Sequence, residues 1–334
     1  MEHMSLLPAV VLFLLAPFVS EFLLGDLPIT MLPALIVLAP MYGGGALVIR
    51  EIVRRSRRGW PTLMVLALAY AVLEEAFTTQ TLFNPKYMHL TLHLLDHAFI
   101  PALGIGGWWT IFVLTLHTVW SIAVSIGLTE GLFPNRADDP WLGRFSFPAV
   151  VLVFLCGIVA TTAITLQFDK QKGDIFIAST GQFVGAAIAV AVLLLTAFAI
   201  PQRGQSAKLG RRALSPWLVG ATSFVATSIF MLVPPSWDWL GVAVFLIIDV
   251  AMIILILHQS ARAGWGPQHR LALAAGAAMT YAWHAFPQPA VGGDVSLEMD
   301  LLSNAVFALV AVALIVVAAL RTRAHYPKAA TINT

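Results

Sequence analysis

The sequence is short of charge. Only 11% of its 334 residues are Asp, Glu, Lys or Arg, while 59% are hydrophobic; soluble globular domains carry roughly 25% charged residues. That is too little to clothe a water-facing surface, which excludes a soluble enzyme, a disordered chain and a nucleic-acid binder. The net charge of +2 is equally too small to draw a polyanionic partner. Cysteine is nearly absent: the single Cys156 excludes an intramolecular disulfide and a cysteine metal cluster. The stretch from Met1 to Ser20 lacks a basic leader and a small-residue cleavage site, and reads as a retained first helix rather than a removed signal peptide. Low-complexity linkers are missing, as are loops long enough to fold as soluble domains, so residues 1–334 read as a single membrane domain. The short alternating runs of a transmembrane barrel are missing too.

What the sequence has instead is long apolar runs, each near the length that crosses about 30 Å of hydrocarbon. Ten are found, at roughly 5–24, 29–50, 60–80, 107–129, 147–167, 175–200, 216–235, 238–259, 269–287 and 301–320. They predict an all-α, polytopic integral membrane protein with about ten transmembrane helices, whose first partner is the lipid bilayer. Cytoplasmic loops should hold most Lys and Arg. With both termini cytoplasmic, 16 of the 19 basic residues fall inside, leaving only Lys86, Lys170 and Lys172 outside. Trp60, Trp108, Trp109, Trp217, Trp237 and Trp239 stand at predicted helix ends, where interfacial aromatics collect. The outer loops lean acidic at Asp294, Glu298 and Asp300. The longest outer excursion, residues 81–106, predicts a short interfacial helix.

Two hairpins look alike. Residues 56–77 run from a basic turn through Gly59, Trp60 and Pro61 into an apolar helix that ends near Glu75 and Phe77. Residues 260–286 run through Gly264, Trp265 and Pro267 into one that ends near His284 and Phe286. The pattern suggests a parallel internal repeat, a common device in transporters.

A charged group near the bilayer centre costs about 2.5–3.5 kcal/mol even on the lenient insertion scale, so each is a functional candidate. Five positions qualify: Glu74, Glu75, His117, Asp249 and His284. Counting about 1.5 Å per residue places Glu74, Glu75 and His284 in the outer third, with His117 and Asp249 nearer the midplane. Two carboxylates close together in low dielectric share a proton readily, and with a histidine they suit proton relay, cation binding or general acid–base work. Gluing helices together by hydrogen bonds is the plainer role.

Gly43, Gly44 and Gly45 follow Pro40 on the second run. They predict either a break lining a cavity or substrate path or close packing through small residues. Arg50 and Glu51 then gate or anchor the cytoplasmic exit. Outside, His89, His93 and His97 recur every fourth residue beside Asp96. On a helix over 87–98 they would share one face and could bridge a divalent metal; otherwise they are amphipathic residues at the wet interface, and no cofactor is required.

Four segments carry a resemblance: Tyr42 to Glu51 (YGGGALVIRE), Gly59 to Pro61 (GWP), Glu74–Glu75 with Phe83 to Pro85 (FNP), and Pro140 to Gly143 (PWLG). Together they resemble a group of bacterial polytopic membrane proteins without an assigned activity, which implies the inner (cytoplasmic) membrane and no mechanism. The glutamate pair with a histidine on the next span also resembles, faintly, the CPBP (CAAX-type) intramembrane proteases, which activate water with such groups. Thr79 stands where that family has arginine, Val113 where it has phenylalanine, and Gln288 where it has asparagine or aspartate.

Two functions follow as expectations. The first is a secondary transporter or ion-coupled carrier of a small solute or ion, with Glu74 or Glu75 carrying the coupling ion and His117, Asp249, His284 and Gly43 to Gly45 lining its path. The second is a hydrolase working through Glu74, Glu75, His117 and His284, with or without a metal. A scaffold subunit is a third. The orientation is directly testable. On a Cys156→Ser background, Lys172→Cys should react with a membrane-impermeant maleimide in intact cells, and Arg57→Cys only after permeabilisation.

Overall fold

A computed structural model describes residues 6–87, 93–173, 175–202, 209–292 and 295–326. Each of the ten apolar runs forms a helix. In chain order these are α1 (Leu7–Phe22), α2 (Ala34–Arg55), α3 (Trp60–Thr78), α4 (Gly107–Leu132) and α5 (Ser146–Gln171), then α6 (Thr180–Ala199), α7 (Pro216–Met231), α8 (Asp238–Ser260), α9 (Pro267–His284) and α10 (Leu297–His325). The chain is thus an all-α polytopic membrane protein. Six of these helices, and α8 with the short turn before it, are long and apolar enough by themselves to cross a bilayer; α1 and α7 are shorter apolar helices.

Local chemistry sets the ends. Ser179, Ser215 and Ser296 each accept a hydrogen bond from the backbone N–H three residues on, at the starts of α6, α7 and α10, which satisfies an otherwise orphaned donor. Pro61, Pro216 and Pro267 sit in first turns, where no N–H is needed. Pro28 and Pro33 hold residues 29–31 in a short 3-10 turn, so α2 begins at Ala34, later than its apolar run suggests. The two similar hairpins share their starts, since α3 and α9 each follow a glycine N-cap with proline in the first turn. Their far ends differ, because only α3 leaves α-helical winding.

Burial sorts the helices into two shells. Two thirds (67%) of the apolar windows of α2, α3 and α4 are buried, against 11% for α5 and α6 and 17% for α8. The outer helices present Leu195, Ile247, Leu309 and Leu320 at more than 60% exposure. In a lipid-embedded chain that is the expected outer surface, since hydrocarbon is as apolar as leucine. Inside, α4 is the central post. Its Trp120 stacks on Tyr281 of α9 with centroids 4.5 Å apart and donates its indole N–H to the Ala277 carbonyl.

Of the two readings of the glycine triplet, close packing is the one found. Helix α2 is continuous from Ala34 to Arg55 and does not break at Gly43, Gly44 and Gly45. The glycines serve close approach: a Cβ at Gly43 would land on the Phe13 carbonyl of α1, and one at Gly44 would lie 3.0 Å from Phe154 of α5. From the other side, a Cβ at Gly157 of α5 would come within 2.5 Å of the Met41 nitrogen. Backbones that close let two helices meet without polar glue. Of the short helix expected within 81–106, residues 88–92 lie outside the described residues; the described ones hold turns, a 3-10 position at Tyr87 and an antiparallel hairpin of β1 (Phe99–Ile100) and β2 (Ile105–Gly106). A second small sheet pairs β3 (Leu209–Arg212) with β4 (Arg262–Ala263) in parallel.

Gly43→Ala should therefore destabilise the protein by about 1–3 kcal/mol, the usual cost of overpacking, read as a lowered detergent melting temperature. Gly185→Ala, with open space around it, should leave that temperature unchanged.

Candidate functional site

Three helices abandon α winding, and each does so at acidic or imidazole side chains. The π-helical stretches are Phe18–Phe22 in α1, Glu74–Thr78 in α3 and His117–Val124 in α4. A π turn carries an extra residue and frees local geometry, and such turns gather at functional sites. Here they bring Glu21, Glu74, Glu75 and His117 to one place in the protein interior.

His117 lies between the two glutamates. Its Nδ1 is 3.1 Å from Glu74 Oε2 and its Nε2 is 2.8 Å from Glu75 Oε1. All three residues are buried. Nδ1 also lies 3.0 Å from the Ser121 hydroxyl, so it meets Ser121 as well as Glu74. The two carboxylates have different surroundings. Glu75 is tied down: its Oε2 accepts from Thr81, and from the Thr79 hydroxyl at 3.2 Å, and Thr81 in turn accepts from the Trp109 indole at 3.1 Å. Thr79, which stands at the position of the protease arginine, is thus a hydrogen-bond donor to the pair. Neither oxygen of Glu74 has a well-directed hydrogen-bond donor, although the buried Tyr70 hydroxyl lies beside it. Unpaired buried polar atoms call for an explanation such as a water or an ion. Gly45 makes the room, since a Cβ there would enter the Tyr70 ring.

Tyr42 completes the group from α2. Its ring stacks on His117 with centroids 6.0 Å apart and planes 20° apart, and its hydroxyl donates to Glu21 Oε1 at 2.5 Å. Glu21, Tyr42 and Tyr70 were not singled out by the sequence. A lone acid near the end of the first apolar run was the available sign for Glu21, and nothing in spacing marks the tyrosines.

The other sequence candidates lie apart. Asp249 of α8 accepts from Thr115 at 3.0 Å, while His284 of α9 meets Gln288 through Nε2 at 3.4 Å and has Nδ1 buried without a partner. Neither forms an ion pair or hydrogen bond with the glutamates among the described residues. His117, expected nearer the midplane than the glutamates, is level with them. Of the external histidine set, His89 lies outside the described residues, and 93–98, expected to be helical, is turn and bend with His93 in the left-handed region at φ 51°. His93 instead pairs with Asp96 at 2.8 Å on the surface. The group of metal-ligating side chains found among the described residues is Glu74, Glu75 and His117, each offering one ligand atom within 4.8 Å of the others.

A second polar knot ties the opposite end of α2 to α4. Arg50, fully buried, bonds Glu130 Oε1 at 3.1 Å and the carbonyls of Arg136, Ala137 and Asp139, with its guanidinium 3.2 Å from the Trp141 ring centre. Arg54 grips both Glu130 oxygens at 2.6 and 2.7 Å. Glu51 accepts from the Trp141 and Leu142 backbone N–H groups. Arg50 and Glu51 therefore anchor the exit of α2.

The chain belongs to a family described as an uncharacterized membrane protein family, whose pattern matches residues 10–333. No curated protein and no solved structure matches it.

Removing one member of a buried ion network leaves the others uncompensated, at about 3–5 kcal/mol. Glu130→Ala should accordingly cost that much in detergent unfolding, far more than Asp249→Asn.

Proposed function

We propose that the protein is an intramembrane hydrolase in which Glu74, Glu75 and His117 activate water. The observation that carries this is the asymmetry of the two carboxylates about one imidazole: Glu75 is fixed by two threonine hydroxyls, while Glu74 keeps lone pairs free beside His117. A water seated there would lose a proton to Glu74 as its oxygen bonds to an acyl carbon. As the acyl–leaving-group bond breaks, His117 would hand a proton to the departing atom, its charge held by Glu75. A general base and acid within hydrogen-bond reach of one reacting water is the geometry such catalysis needs. The three-residue set also fits a divalent ion by donor type, and such an ion would supply Lewis acidity to the same water.

A carrier is the second reading. It is favoured by the enclosure of the whole cluster, with Glu74 at 1% and Glu75 at 3% exposure, which suits an occluded proton or cation. In that reading the orientation with both termini cytoplasmic puts the cluster in the outer half of the membrane.

Purified protein in proteoliposomes, offered fluorogenic acyl esters and lipopeptides, should hydrolyse one class. Glu74→Gln and His117→Gln should each lower the rate by about 10²–10⁴-fold, the contribution of general acid–base groups. Hydrolysis by these variants at the wild-type rate overturns the assignment. Loss on chelation with recovery in zinc would give the water-activating role to a metal on the same residues. Gradient-driven uptake without hydrolysis, lost in Glu75→Gln, would establish the carrier.

A further inference from the structure

Asp249 takes no part in the Glu74–His117 cluster or in the Arg50 knot, and its surroundings differ from both. Counted from the start of α8 at Asp238, it stands about 16 Å along the helix at 1.5 Å per residue. That is close to the middle of a hydrocarbon layer about 30 Å thick. Helix α8 faces outward, with 17% of its apolar window buried, and Asp249 is half-buried on it. One carboxyl oxygen, Oδ2, accepts from Thr115 of α4 at 3.0 Å. The other, Oδ1, has no hydrogen bond among the described residues. Hydrocarbon supplies none, and lipid headgroups lie half a bilayer away, so an open carboxyl oxygen at this depth is completed by another protein group.

The residues around Asp249 give the direction of that group. Val242, Leu246, Asp249, Ile253 and Ile256 follow one another in alternating steps of four and three, the spacing of a seam between two helices. Each is at least partly open, with Leu246 at 46% and Ile253 at 55% exposure. The buried side of α8 lies elsewhere, where Phe245 meets Phe230 of α7 with ring centres 4.4 Å apart. We propose that this seam joins two copies of the chain about a twofold axis along the membrane normal, with Asp249 of each copy bonded to Asp249 of the other. Such an axis makes the two α8 helices parallel and sets equal residues opposite each other at equal depth. A carboxyl group in its acid form both donates and accepts, so two of them complete each other, while Thr115 fixes the orientation of each. A different partner helix would need a polar residue of its own at mid-membrane; a second copy brings one by symmetry. The apolar residues of the seam suit lipid as well as a helix, so Asp249 sets the register, as a single polar residue does in a helix pair.

The seam is tested without any turnover, so its outcome is independent of the chemistry at Glu74. Full-length protein carrying one dye at Lys172→Cys on the Cys156→Ser background is diluted into liposomes, and single-molecule bleaching steps are counted. With Asp249 in place, the protein should bleach mostly in two steps. Asp249→Leu should weaken dimerisation by roughly tenfold, the scale of a polar contact between helices in lipid, with its detergent melting temperature unchanged. Asp249→Asn, whose amide also donates and accepts, should stay dimeric. On the same Cys156→Ser background, Ile253→Cys should form a disulfide-linked dimer under mild oxidant. Ile254→Cys, 61% exposed but off the seam, should not. Single-step bleaching with Asp249 in place overturns the proposal, including where native membranes show a larger assembly with a different partner. Full dimerisation of Asp249→Leu, or equal cross-linking at Ile254→Cys, overturns it as well.

Discussion

Hydrocarbon offers no hydrogen bonds, so a charged side chain within a membrane protein must find its partners among other protein groups. That constraint organises this molecule. Many of its inward-facing charges are gathered into two knots on the inner helices, with Asp169 and Asp300 buried apart from them. At one end Arg50, Arg54, Glu51 and Glu130 use nearly every donor and acceptor they have, with backbone carbonyls and a tryptophan face taking what remains. At the other, Glu74, Glu75 and His117 are brought together with lone pairs to spare. The first is saturated and structural. The second is incompletely satisfied, and that difference, more than burial or charge, separates an anchor from a place where chemistry can occur.

Backbone geometry serves the second knot. Regular α winding fixes where successive side chains point, and on three helices that fixed pattern is relaxed at the residues that meet. The glycines of α2 contribute differently. They do not loosen their helix; they bring α1, α3 and α5 close enough for Tyr42 and Tyr70 to flank the glutamates.

The architecture was largely legible in the sequence because the bilayer enforces it. A span must be long and apolar, and each of the ten apolar runs is a helix, with ends shifted by a few residues where Pro28 and Pro33 delay α2. The glutamate pair and His117 were legible for the same reason, since a charge in an apolar run is conspicuous. What the sequence could not show was pairing between helices. His284 matched Glu75 by counted depth, yet the partner of Glu75 is His117, because a π turn and lateral packing decide contact and neither is written in hydropathy. Glu21 was missed since it stands near a helix end, where an acid normally meets water. The glycine triplet was ambiguous by nature: the residue that permits a break also permits a close crossing, and only the identity of Phe13 and Phe154 across the gap settles which.

The two-shell arrangement has a consequence for how the molecule tolerates its surroundings. Helices α5, α6 and α8 turn most of their surface outward and take little part in either polar knot. Their apolar faces match a solvent rather than specify a shape, so many different apolar sequences would serve there equally. The specifying information is concentrated in α2, α3 and α4. Recoating the outer faces of the girdle with polar side chains, at positions such as Leu195 and Ile247, would change the medium in which the protein dissolves while leaving the inner cage its own source of order. The lipid, in this sense, is a coat the fold wears and not the frame that holds it.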